Sequence, residues 1–252
     1  MLRSLRDLQG YHVHATDGDV GRADDFLFDD ERWTVRYAVV DTGGWLEDEL
    51  TLISPAALRE ADWESRTLMA DLTREQVEAS PPIERDAPVD RQRRVDLHAH
   101  YGWPHWWAGV GPLGGIGAPG AYIPADAVAT EAPPGGTEPE GDPHLRSSAD
   151  VIGYAVTGTD EEVGHVDDLI VEDEGWQVRY LVVDTRRWLS GRRVLIAPQW
   201  VERFDWADRT ATLRLTRAEI EASPEFDEAA PVNREYETRL YDFYGRPTYW
   251  DG

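Results

Sequence analysis

Two halves of this chain carry the same sequence pattern. Leu2–Ser4 reappears as Leu145–Ser147, and later matches such as Tyr37 with Tyr180 keep the same shift of 143 residues. The alignment of the two copies needs no gap. A repeat of this length exceeds one unit of a solenoid, so each copy is expected to be a domain with its own hydrophobic core.

The repeat also predicts the domain boundaries. We assign a first domain to residues 1–107, a linker to residues 108–144 and a second domain to residues 145–252. The linker is rich in Gly and Pro, as in residues 133–139, and such a composition does not sustain a helix or a central strand. We therefore expect a flexible tether between the two domains.

Composition limits the classes of partner. The formal net charge is −24, and all 25 basic residues are Arg. An acidic excess of this size opposes direct contact with nucleic-acid phosphates and with anionic membranes. The absence of Cys excludes disulfides and thiolate chemistry. No run approaches the roughly 18 apolar residues of a membrane span, so a cytoplasmic protein without membrane insertion is expected.

Each copy has the pattern of short strands followed by a short helix. The segment from Thr34 to Thr42 is the strongest strand, because its β-branched residues indicate burial on both faces. Thr73 with Gln76, and Thr216 with Glu219, have the spacing of a capping box at the start of the helix. The order predicts an all-β fold with short helices, arranged as a small β-barrel in each copy.

Ordered motifs in both copies resemble the PRC-barrel domain. The first copy has Gly10–Val13, Asp17–Gly21, Tyr37–Val40 and Ile53–Pro55, and the second has Gly153–Val156, Asp160–Gly164, Tyr180–Val183 and Ile196–Pro198. The second copy departs from the pattern at Glu161, where the turn Gly is absent. The resemblance implies two small PRC-type β-barrels in tandem, and the repeat predicts that a pseudo-twofold axis relates them. The family's barrels occur in photosynthetic reaction-centre H subunits and in the C-terminal part of ribosome-maturation factors.

A histidine cluster near the end of the first copy is the weak candidate for a metal site. A His-x-His pair on a strand would place both imidazoles on one face, and a third His or Asp96 would complete the set. The residues are His98, His100 and His105, and the second copy has Tyr241, Phe243 and Thr248 at these positions. The exchange of His for aromatic residues favours a packing surface, so neither a cofactor nor a metal is predicted.

Both copies end in an aromatic tail. Aromatic side chains are costly to leave in water, so these residues are expected to pack on a barrel or to contact a partner. The candidate interaction residues are Tyr101, Trp103, Trp106 and Trp107 in the first copy and Tyr244, Tyr249 and Trp250 in the second.

Charged residues at equivalent positions of the two copies are interpreted as structural and not as ligand-binding. The pairs Asp24–Asp25 and Asp167–Asp168 are interpreted as turn residues on a solvated acidic face rather than as a cation site. Arg36 and Arg179 are expected to point outward or to pair with an acid such as Asp41 or Asp184.

The sequence contains no recognised catalytic motif, so the chain is predicted not to be an enzyme. We expect an adaptor or scaffold that binds protein partners or forms a homodimer, with tryptophans buried between the two barrels. Three alternatives remain open: a ribosome-assembly factor, an accessory protein of a photosynthetic or membrane complex, and a metal-binding protein.

Overall fold

The computed structural model describes residues 1–43, 50–59, 61–81, 83, 91–103, 144–185, 192–230 and 232–250. Among these residues, the first copy has strands β1 (Leu2–Ser4), β2 (His12–Ala15), β3 (Gly18–Asp29), β4 (Thr34–Asp41), β5 (Leu50–Ile53) and β6 (Thr67–Met69). Its helices are α1 (Leu5–Leu8), α2 (Arg74–Glu78) and α3 (Arg91–Tyr101).

The second copy repeats this order. Its strands are β7 (Leu145–Ser147), β8 (Ala155–Thr157), β9 (Glu162–Glu172), β10 (Val178–Asp184), β11 (Arg193–Ile196), β12 (Val201–Asp205) and β13 (Thr210–Leu213). Its helices are α4 (Ser148–Val151), α5 (Arg217–Glu221) and α6 (Arg234–Tyr244). The predicted fold class, all-β with short helices, is confirmed. Apart from His144, the predicted linker lies outside the described residues.

The strands form two sheets with corresponding strand orders. One runs β5-β4-β3-β2-β6, and the other runs β11-β10-β9-β8-β13-β12. The central hairpins, β3 with β4 and β9 with β10, are antiparallel, whereas β2 pairs with β6 in parallel. Before the short helix of the second copy, β12 pairs antiparallel with β13, whereas the equivalent segment of the first copy forms only isolated bridges at Leu58 and Asp62.

The first strand of each copy lies in the sheet of the other copy. Strand β1 pairs antiparallel with β9, with Arg3 opposite Val171. Strand β7 pairs antiparallel with β3, with Arg146 opposite Phe28. This reciprocal exchange joins the copies through backbone hydrogen bonds, and the two sheets therefore do not coincide with the two sequence repeats.

The long strands β3 and β9 contain bulges at the same places. Val20 is the extra residue where β3 pairs with β2, since Val13 is opposite Gly21 and His14 is opposite Asp19. Gly21, next to this bulge, has a φ of +151°. A Cβ atom on Gly21 would lie 2.0 Å from the carbonyl oxygen of Asp41, so the backbone approach itself requires glycine.

The strand after each long strand passes through the hydrophobic core. Tyr37 and Val40 in β4, like Tyr180 and Val183 in β10, have 0% exposure. Both predicted capping boxes are present and close the first turns of the short helices α2 and α5. Within the described part of the chain, no helix combines the length and apolarity needed to cross a membrane.

Candidate functional site

The junction between the two copies is built around two tryptophans at equivalent positions. The amide of Val35 donates to the carbonyl of Trp176 at 2.8 Å, and the amide of Val178 donates to the carbonyl of Trp33 at 2.7 Å. Both tryptophans have positive φ, 56° for Trp33 and 53° for Trp176. Non-glycine residues rarely adopt this conformation. The reciprocal hydrogen bonds of the junction therefore hold both tryptophans in it.

Aromatic rings pack across the same junction. Trp33 lies 4.8 Å from the ring of Phe204, which stacks on Trp206 at 5.1 Å, and Trp176 stacks on Phe26 at 6.0 Å. The guanidinium of Arg146 lies 4.4 Å from the ring centre of Trp206. Tryptophans are therefore buried between the copies, as the sequence suggested, although through residues outside the aromatic tails.

Asp25 and Asp168 anchor the exchanged strands. Asp25 accepts from the hydroxyl of Ser148 at 2.6 Å and from the amide of Ala149 at 3.1 Å, and it also accepts from Ser147. Asp168 accepts reciprocally from Ser4 and from the amide of Arg6. The prediction of turn residues on a solvated face is wrong for both, because each lies within a long strand and caps the helix that follows the other copy's first strand.

Burial sets the ionisation of Asp168. Its side chain is 5% exposed, and desolvation raises its pKa above the ordinary value of 3.8, although hydrogen bonds from Ser4 and backbone amides oppose that shift. The carboxyl group therefore binds a proton more readily in the folded protein than in the unfolded chain.

The other paired charges occupy bulges. Asp24 and Arg36 are the extra residues of the two bulges between β3 and β4, and Asp167 and Arg179 are the extra residues between β9 and β10. A bulge changes the direction in which the side chain of the extra residue points. These charged side chains can therefore lie beside strands that are largely buried.

The two bulge arginines pair with acids, as one of the sequence interpretations held, but the suggested partners are wrong. Arg36 binds Asp29 at 2.8 Å, and Arg179 binds Glu172 instead of Asp184. Burial acts to raise the pKa of Asp29, but hydrogen bonds from Arg36 and from two turn amides outweigh it and lower that pKa.

The weak candidate for a metal site does not form from His98 and His100. These residues lie on helix α3 and not on a strand, and residues two apart on a helix point to different faces. His98 is 2% exposed and hydrogen-bonded to the hydroxyl of Tyr37 at 2.8 Å, whereas exposed His100 bonds to the carbonyl of Gln76 at 2.7 Å. His105 lies outside the described residues.

The described tail residues pack on their own copies. Tyr101 stacks on Trp103 at 4.2 Å, and Trp103 contacts His98 at 5.7 Å. In the second copy, Tyr244 packs on Trp200 at 4.9 Å. Trp106 and Trp107 lie outside the described residues. Whether any tail also contacts another protein stays a prediction.

A buried acid fixes the second tail. Glu237, 2% exposed, accepts from the hydroxyls of Tyr180 at 2.7 Å and Tyr249 at 2.8 Å and pairs with Arg234 at 3.0 Å. Arg234 also lies 4.0 Å from the ring centre of Trp250. Burial and the bond to Glu237 raise the pKa of Tyr249 to about 12, so its hydroxyl stays protonated and donates.

An open cleft of about 680 Å³ lies on the first sheet, beside the Gly21 bulge. His12, Asp19, Arg22, Asp24 and Asp41 are among its lining residues. His12 and its neighbour His14, both on β2, are not among the candidate residues that the sequence pattern indicated. Their His-x-His spacing on a strand was the signal that could have singled them out.

A comparison with protein families gives a match over part of the chain. Residues 143–213 match the family model described as "PRC-barrel domain". This match covers the second copy from β7 to β13. The search of curated proteins gives no match.

Proposed function

We propose that the chain is a non-enzymatic cytoplasmic adaptor made of two PRC-type barrels. Residues 143–213 match the family, and the first copy repeats both their sequence pattern and their strand order. We infer from this repetition that residues 1–107 form a second barrel of the same type.

The reciprocal exchange of β1 and β7 is the observation that carries the proposal. Backbone pairing across the copies fixes two similar surfaces at one spacing and orientation. The two surfaces are therefore already positioned for a partner that contacts both. Once the partner has bound one surface, its contact with the second is intramolecular and costs no further loss of rotational and translational freedom.

Charge indicates the chemistry of the partner. With 49 acidic against 25 basic residues, the surface potential is strongly negative and attracts a protein with a basic surface. Association with such a partner is expected to weaken as salt rises, because exposed charges are screened over roughly 10 Å at 0.1 M ionic strength.

The proposal is tested by affinity purification of the tagged full chain from its source cell at low and high ionic strength. An unrelated protein of similar net charge is the matched control. The enriched partner is then purified and mixed with the chain, and light scattering measures the mass of the complex. We expect a complex of defined stoichiometry that dissociates at high salt. Light scattering of the chain alone tests the homodimer.

Two variants separate a specific contact from general charge attraction. Trp250→Ala should weaken the complex by roughly tenfold, as loss of an aromatic interface anchor does. Phe243→Ala removes a 43% exposed aromatic residue of helix α6, outside the candidate set, and should leave the affinity unchanged. Enrichment equal to the charge-matched control would refute the adaptor function.

A further inference from the structure

A second histidine pair, on a strand, lies beside the cleft. His12 and His14 are two residues apart on β2, so their side chains share one face of the sheet. Their ring centres are 6.3 Å apart, and both side chains are about 40% exposed, at 41% and 42%. This is the arrangement that the sequence suggested for His98 and His100, found at a different place.

The bulge at Val20 brings an acid to this pair. Val13 is opposite Gly21 and His14 is opposite Asp19, so the extra residue turns Asp19 toward the histidine face. Asp19 Oδ1 lies 3.5 Å from His12 Nδ1 and 3.2 Å from His14 Nε2. The three donor atoms all lie within 4.8 Å of one another.

The two distances from Asp19 to the histidine nitrogens match the coordination sphere of zinc. Zinc–ligand bonds of about 2.0–2.1 Å in a tetrahedral site place neighbouring donor atoms about 3.3 Å apart. Two imidazoles and a carboxylate form a donor set that Zn²⁺ accepts, with a fourth position left for water or for another ligand. His12 and Asp19 also line the cleft, from which that position would be filled.

The second copy provides an internal comparison. It keeps the bulge, and it keeps an acid, since Glu162 takes the place of Asp19. Ala155 and Thr157 take the places of the two histidines. The donor set therefore belongs to the first copy alone, on a backbone that both copies share.

A different cluster in the second copy is filled by an arginine. His165, Asp167 and Asp184 also bring their donor atoms within 4.8 Å of one another. Arg193 Nε lies 2.8 Å from Asp167 and 4.0 Å from Asp184, so a guanidinium already neutralises these acids. This cluster is a structural ion-pair network and serves as a control.

We propose that His12, His14 and Asp19 form a site for a divalent transition-metal ion of the Zn²⁺ type, open to the cleft. This site goes beyond the adaptor function, which does not depend on it. The strongly negative net charge of the chain further favours a bound cation.

The test is titration of the full chain with Zn²⁺ by calorimetry, in physiological salt with excess Mg²⁺ to occupy nonspecific acidic sites. We expect one Zn²⁺ per chain. Removal of second-shell groups alone lowers metal affinity by about 10–100-fold, so His12→Ala and His14→Ala should each cost at least about tenfold. His165→Ala is the matched control and should bind as the wild type does. Without metal, the melting temperatures of His12→Ala and His14→Ala should be close to that of the wild type, since both side chains are half-exposed.

Cobalt supplies a second readout. Co²⁺ bound in place of Zn²⁺ should give the visible absorption of a four-coordinate nitrogen and oxygen site, and His12→Ala and His14→Ala should abolish it. Equal Zn²⁺ affinity in the wild type and in the variant that lacks both histidines would overturn the proposal. So would the loss of all Zn²⁺ binding on addition of Mg²⁺.

Discussion

At the scale of single residues, the ion pair of Asp29 with Arg36 makes stability depend on pH. The folded state lowers the pKa of Asp29 below 3.8, so ionised Asp29 stabilises the fold above that pH. The contribution is lost as pH falls through the lowered pKa. Asp29→Asn should therefore lower the free energy of unfolding by about 3 kcal/mol at neutral pH, because it removes the carboxylate that pairs with the half-buried guanidinium of Arg36. Urea unfolding between neutral pH and pH 3 measures this.

The equivalent position in the second copy is the control for this prediction. Glu172 pairs with Arg179 but has 27% side-chain exposure against 4% for Asp29. Glu172→Gln should cost less, since solvent screens the pair. A difference between Asp29→Asn and wild type that stays constant down to pH 3 would contradict the assignment.

The charged residues also show what a sequence can reveal at this scale. One interpretation of the sequence, that Arg36 pairs with an acid, is confirmed. Its partner could not be identified, because Arg36 and Asp24 are bulge residues and a bulge breaks the two-residue alternation on which strand predictions rest. Only the pairing register, which belongs to the folded sheet, shows where the alternation breaks.

At the scale of elements, the carboxylate of Asp25 holds the end of the exchanged strand β7 and the start of helix α4. Asp25 accepts hydrogen bonds from Ser147, Ser148 and Ala149. Asp25→Ala leaves these donors without that acceptor and should destabilise the fold by about 1–3 kcal/mol. Hydrogen exchange followed by mass spectrometry should show faster exchange in residues 145–151.

The neighbouring acid is the control for the strand. Asp24 is exposed, so Asp24→Ala should leave exchange in residues 145–151 as it is in the wild type. The reciprocal segment, residues 1–8, is held by Asp168 and should stay protected in Asp25→Ala. Equal loss of protection in both segments would show that Asp25 acts on the whole fold and not on β7.

Helix α3 illustrates why one element was mispredicted. Its buried positions, Arg94, Leu97 and His98, with half-buried Tyr101, have helical spacing. Two of the four are polar residues that usually face solvent, so the apolar periodicity is concealed. The second copy uses Glu237, Leu240, Tyr241 and Tyr244 at the same positions. A search for the shared spacing, rather than for hydrophobicity, would have found both helices.

At the scale of the whole molecule, the repeat predicted two units but not their exchange of strands. Strands β1 and β7 are three residues long, and nothing in Leu2–Ser4 states which sheet it joins. The choice depends on contacts more than a hundred residues away, such as those of Ser4 with Asp168. The local pattern therefore predicted the strands, while the pairing of the copies required the structure.

The exchange predicts that both copies unfold together. Each sheet contains a strand from the other copy, so neither can lose its structure alone without exposing the other's edge. Phe26 has 0% exposure and stacks on Trp176 of the second copy. Phe26→Ala should cost about 3–5 kcal/mol and shift one cooperative transition. Differential scanning calorimetry measures the number of transitions and their midpoints.

A core change in the other sheet completes this test. Leu195 in β11 also has 0% exposure, and Leu195→Ala should cost about 2–5 kcal/mol. If the exchanged strands couple the two copies, Phe26→Ala and Leu195→Ala both lower the midpoint of the same single transition. Two independent barrels would instead give two resolved transitions, with Phe26→Ala moving one and Leu195→Ala the other. That result would mean that the exchanged strands do not couple the copies.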